Sequence, residues 1–206
     1  MKKRLHDKKA GIAILISLII VSLAEIIFRA AAMGLEAVLT TSNFGEQFAV
    51  IALAVIILVL TAKGKDRACY ILYGAWIASF VMEQIFVLPG DIFTAIAVSN
   101  SYALGTIILS VAALSSVGLI VIGVLLAEYM NDGTINNRLF NCACIVTIVM
   151  ILCTIILPAY IAITSGSAQN WLGVFDGVRT LIMVFLCTFF AYDSAKMQLK
   201  KTNLTK

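Results

Sequence analysis

KKAGIAILISLIIVSLAEIIFRAAA, residues 8–32, opens on two lysines and then runs apolar, with only Glu25 and Arg29 interrupting it. A run of about 20 apolar residues has the length of a helix that crosses the hydrocarbon core. Inside that core each backbone amide must find its partner within the protein. A continuous apolar run without period-two alternation therefore reads as a helix and not as a barrel strand. The basic start and the triplet Ala30-Ala31-Ala32 are also features of a cleavable signal peptide. The run is too long for a signal core and two charges break it, so we read it as an uncleaved first span.

The pattern repeats along the chain. Apolar segments cover residues 11–32, 46–62, 68–88, 103–127, 142–164 and 171–192, the second being the shortest. Over all 206 residues, 62% are apolar and 13% charged, and the mean hydropathy is +1.04. Soluble domains are about half apolar and about a quarter charged. A core of this size cannot hide the excess, which must face lipid. The expected fold is an all-α integral membrane protein, a bundle of six transmembrane helices over residues 11–192. Short basic tails flank it at 1–10 and 193–206.

Lys and Arg set the direction. Lys2, Lys3, Arg4, Lys8 and Lys9 precede the first segment, and Lys63, Lys65 and Arg67 follow the second. Arg138 lies between the fourth and fifth, and Lys196, Lys200, Lys201 and Lys206 follow the sixth. These are 13 of the 15 basic residues, and the three links on the other side carry none. The positive-inside rule puts both termini in the cytoplasm of a cell-membrane protein. Tyr70, Tyr129 and Tyr192 would mark the inner border, and Tyr102, Tyr160 and Trp171 the outer one. The basic clusters sit beside apolar segments, with no basic stripe for a nucleic-acid backbone.

Spacing further divides the chain into halves of three crossings, with long links at 33–45 and 128–141 and short ones at 63–67 and 165–170. Halves of opposite orientation are a transporter architecture. In the outer links, residues 33–45 mix Gly34, Glu36, Thr40, Thr41, Ser42 and Asn43 with apolar positions. Past Pro89 and Gly90, Asp91–Val98 reads as a surface-lying connector, with Asp91 placed to cap a short helix.

Ionisable groups inside apolar spans usually face a bundle interior or cavity. Here they are Glu25 and Arg29, Glu83 with Gln84 beside it, and Asp176 and Arg179. At about 1.5 Å per residue, all five charges fall in the outer half of the membrane. Two readings follow. Glu25 and Arg29 are four apart, Asp176 and Arg179 three apart, and both spacings suit pairing on one helix face. With Glu83 bonded to the first or last helix, the charges would staple helices one, three and six. Alternatively the same helices line a pocket open to the outside for a small polar or zwitterionic solute, with Trp76 as its floor. That reading predicts that neutralising Glu83 abolishes solute binding or uptake while the chain still folds.

The fourth segment holds small-xxx-small pairs, Ala112 with Ser116 and Gly123 with Ala127, which let backbones approach closely. They suit packing within the bundle, or contact with another membrane subunit. Pro158 removes a backbone hydrogen bond near the outer end of segment five. Cys69, Cys142, Cys144, Cys153 and Cys187 read as small buried hydrophobes, and His6 lies in the basic tail. No metal site or cofactor is expected. HExxH, GxSxG and GxxxxGK[ST] are absent, as is a histidine within the spans, and Glu128 with Asp132 reads as a solvated pair. The chain is read as a non-enzyme.

In length, helix number, orientation and an outward-facing polar region, the chain resembles small six-helix bacterial membrane proteins. Among these are the substrate-capture subunits of energy-coupling-factor transporters. The resemblance rests on no residue motif and carries over no site. It agrees with a transport protein, or the substrate-binding membrane subunit of one. The alternative is a non-catalytic subunit or immunity-type scaffold of a membrane complex, with the charges as structural ion pairs.

Overall fold

In a computed structural model the described residues are 2–34, 42–98, 103–132, 136–166, 168 and 170–204. Side chains are described for most of these, but not for 2–8, 42–44, 46, 66–67, 70, 91, 98, 103–104, 129–132, 137 and 191–204. Six helices account for nearly all of it: α1 (Lys2–Met33), α2 (Ser42–Ala62), α3 (Asp66–Val98), α4 (Ala103–Asp132), α5 (Asn137–Ser165) and α6 (Asn170–Leu204). No strand occurs among the described residues. Five runs are long and apolar enough to cross a membrane: Lys9–Met33, Ile71–Ala97, Gly105–Glu128, Arg138–Ser165 and Asn170–Phe190. Helix α2 supplies the shorter apolar run Gln47–Ala62. The described fold is thus all-helical, with five or six long apolar helices that could span a membrane.

Every helix is longer than its apolar segment. Helices α1 and α6 continue into the basic tails, and α2 begins at Ser42, within the expected link. The side chains of Ser42 and Asn43, and residues Glu36, Thr40 and Thr41, lie outside the described residues, as do the side chains of Tyr70, Tyr102, Tyr129, Tyr192 and Asp132. Tyr160 and Trp171, expected at the outer border, are exposed.

One expectation is corrected at α3. The stretch Asp91–Val98 is not a separate connector, because α3 runs without interruption through Pro89. Proline withdraws one donor, the bond to the carbonyl of Ile85, but its fixed φ is helical and membrane helices accommodate the loss. Thr94 Oγ1 donates to the carbonyl of Gly90 at 2.8 Å one turn on. Asp91 therefore lies within a helix and does not open a new one, and its side chain is outside the described residues. Helix α5 likewise continues through Pro158.

Two helix ends show why the chain turns where it does. Gly34 and Gly64 follow α1 and α2 with φ of +88° and +67°, a region that costs glycine nothing. Their amides return to the carbonyls of Ala30 (3.1 Å) and Thr61 (3.2 Å). Beyond Gly64, Thr61 Oγ1 lies 3.5 Å from Cys69 Sγ.

The helices group into two compact units, Met1–Leu72 with Thr154–Ile182, and Tyr73–Cys153 with Met183–Lys206. These do not follow the two halves suggested by link spacing. In the first unit α1 buries Leu15, Leu18, Ser22 and Glu25, each at most 1% exposed. The alternating three- and four-residue steps form one seam along the helix. Facing it, α2 buries Gln47, Ala54 and Ile57. The second unit encloses Trp76, Ile77, Leu119, Ile122, Cys144 and Leu186, and Tyr73 meets Phe189 edge-on at 6.2 Å between ring centroids.

The small residues of α4 are used inside this second unit. Ser116 Oγ donates to Gln84 Oε1 at 2.9 Å, joining α4 to α3. A Cβ on Gly118 would strike Thr147 of α5, and one on Gly123 would lie 2.6 Å from Val81 Cγ2 of α3. Ala112 is half-buried and Ala127 exposed, so the expected pairs are only partly engaged. Gly123→Leu should destabilise the protein by about 1–3 kcal/mol through overpacking, read as a lower melting temperature in detergent.

Candidate functional site

Two guanidinium groups, two carboxylates and an amide converge within the first unit. The level at which they meet follows from chain positions. Glu25 is about 12 Å before the end of α1, Gln47 about 8 Å after the start of α2, and Arg179 about 14 Å after the start of α6. Helices running in opposite directions bring these positions together.

Glu25 is the centre, and it is 1% exposed. Its Oε1 accepts from Arg29 Nη2 at 2.7 Å and from Arg29 Nε at 3.0 Å, the one-turn pair expected from spacing. Its Oε2 accepts from Gln47 Nε2 at 2.7 Å, and Arg179 Nη1 stands 3.7 Å from the same oxygen. Arg179 Nη2 donates to Asp176 Oδ1, the other expected pair. The side chains of Arg29 and Arg179 are 14% and 13% exposed, whereas that of Asp176 is 64% exposed. The network thus runs from a sealed carboxylate to an open one, and its formal charges cancel.

Next to it, α6 is pressed onto α5. A Cβ on Gly173 would lie 3.3 Å from Pro158 Cβ, and one on Gly177 would lie 2.6 Å from Ile155 Cγ1. Gly173 and Gly177 are four apart, so one glycine face brings the backbones together. Gly177 lies in sequence between Asp176 and Arg179, and the close packing fixes the turn that carries both. Phe28 of α1 and Phe175 of α6 add a ring contact at 5.5 Å.

Of the six residues singled out by sequence, four converge: Glu25, Arg29, Asp176 and Arg179. Glu83 and Gln84 belong to the second unit, where Glu83 is exposed and Gln84 receives the Ser116 hydroxyl. With α3 extended to Val98, Glu83 sits near the middle of the candidate span Ile71–Ala97. Trp76, expected as a pocket floor, is a buried residue of the second unit.

Gln47 was missed, and so was the α6 glycine pair. Gln47 lies at the edge of the shortest apolar segment, where an amide reads as interfacial. The signal for the glycines was present, since Gly173-x-x-x-Gly177 has the same spacing as the pairs noted in segment four. All five cysteines are free thiols. Among the described residues no three His, Cys, Asp or Glu side chains gather as a metal site would require. Comparison with protein-family models, curated proteins and solved structures finds no match for the chain.

Proposed function

We propose that this protein is a six-span transport protein of the cell membrane, or the solute-binding membrane subunit of one, with both termini in the cytoplasm. The charge bias of the links supports that direction. Helix α2, at 21 residues, is about 31 Å long and so matches a hydrocarbon core of about 30 Å. In this orientation the Glu25 network lies in the outer half and its exposed member, Asp176, opens towards the outside.

The observation that carries the reading is the mixed-charge network itself. Replacing a buried ion pair by apolar side chains is often neutral or stabilising, so helix association alone gives little reason for it. A site with two acids and two guanidinium groups offers matched partners to a small polar or zwitterionic solute. Arg179 is shared between Glu25 and Asp176, so a solute carboxylate can take one of its donors without leaving either acid unpaired. Proteoliposomes containing the protein should take up a labelled polar solute, and a folded Glu25→Gln variant should lose that uptake by at least tenfold. Undiminished uptake by the variant would overturn the assignment.

A second reading is favoured by one observation. Both oxygens of Glu25 are already held by the chain's own donors, as in a structural staple. The protein would then be a non-transporting subunit of a membrane complex, and α4 or the exposed apolar faces would meet the partner. Purification in mild detergent separates the two, because this reading requires a stoichiometric partner. A neighbouring gene for an ATPase or coupling subunit would favour transport.

A further inference from the structure

Two buried polar atoms in the first unit are not used by the ion-pair network. Gln47 is 1% exposed and Ser22 is 0% exposed, and Gln47 Oε1 and Ser22 Oγ find no hydrogen-bond partner among the described residues. Gln47 cannot exchange its two ends. Its Nε2 donates to Glu25 Oε2, and a carboxylate only accepts, so the amide oxygen is the end that faces away. Ser22 lies one turn below Glu25 on the same face of α1, about 4.5 Å along the axis. A buried amide oxygen or hydroxyl without a partner is destabilising, and native proteins meet such groups with bound water or ligand.

From this we infer that the wall formed by Ser22 and Gln47 beside Glu25 is a subsite for a neutral hydroxyl donor, either a bound water or the hydroxyl of a solute that displaces it. The inference rests on the site proposed above and narrows its ligand. Charge decides against ions. A metal cation or ammonium would enter next to two guanidinium groups that already neutralise Glu25, and its own charge would meet no spare carboxylate at that depth. An anion would face an amide oxygen, which repels it. A neutral O–H donates to Gln47 Oε1 and accepts from Ser22 Oγ, completing both at no cost in charge.

Ser22→Ala and Ser22→Thr in the full chain, melted in detergent, test the subsite. A hydroxyl that holds a bound donor loses a bridge when removed, so Ser22→Ala should lower the melting temperature by about 2–4 °C, and Ser22→Thr should not. A hydroxyl that is simply stranded gains from removal. A melting temperature raised by Ser22→Ala would therefore overturn the subsite, while the uptake of Glu25→Gln would still decide the transport reading. Glycerol and sucrose, compared at equal osmolality, identify the source of the hydroxyl. Extra stabilisation by glycerol that Ser22→Ala abolishes assigns it to a solute, and equal effects of both assign it to water.

Discussion

Glu25→Leu is expected to destabilise the protein by about 3–5 kcal/mol, the cost of stranding buried partners of a removed charge. The loss is large because one carboxylate serves side chains on three helices, hydrogen bonds from Arg29 and Gln47 and an ion pair with Arg179. Arg29 loses both hydrogen bonds to that carboxylate, Gln47 loses the acceptor of its amide, and Arg179 loses the carboxylate 3.7 Å from its Nη1. Asp176→Asn should cost no more than about 1 kcal/mol, because that side chain is largely exposed and exposed ion pairs contribute little. The double variant Glu25→Leu with Arg29→Leu should recover part of the loss, since it removes one of the stranded charges. Unfolding midpoints in detergent or lipid nanodiscs measure all three. If Glu25→Leu and Asp176→Asn prove equally mild, Glu25 is not the buried hub. The midpoint of the parent protein should change little between about 0.1 and 1 M salt, since a buried pair is poorly screened.

The spans were legible because lipid exposure imposes a simple requirement, a long apolar run with its amides satisfied internally. The two i-to-i+3 and i-to-i+4 ion pairs were legible for a related reason, since spacing on one helix fixes them without any knowledge of neighbours. What joins one helix to another was not. Glu83 has the same chemistry as Glu25, and composition alone cannot tell which carboxylate stands beside Arg29 and Arg179. Gln47 was hidden by its place at a segment edge, where polarity is ordinary. Pro89 misled for a different reason. In water a proline often ends a helix, but in a membrane the alternatives to helical hydrogen bonding are worse, so α3 continues to Val98.

Packing at Gly177 is expected to be as demanding as the charge at Glu25, and for a separable reason. A Cβ there would lie 2.6 Å from Ile155 Cγ1 and 3.3 Å from Thr154 Oγ1, so Gly177→Leu forces α6 away from α5. Overpacking of this kind costs about 1–3 kcal/mol on its own. The same turn carries Arg179, whose Nη1 already stands 3.7 Å from Glu25 Oε2. A shift of about 1 Å lowers the attraction further, and the polar network loosens with the packing. Gly177→Leu should therefore lose stability and, under the transport reading, solute uptake together. Ile155→Ala creates room opposite the new side chain. Combined with Gly177→Leu it should be less destabilising than the sum of the two single variants by at least about 1 kcal/mol, as contacting sites usually are. Strict additivity would mean that the α5–α6 contact does not hold the turn bearing Arg179. Recovery of stability without recovery of uptake would show that the position of Arg179, and not the fold alone, sets the activity.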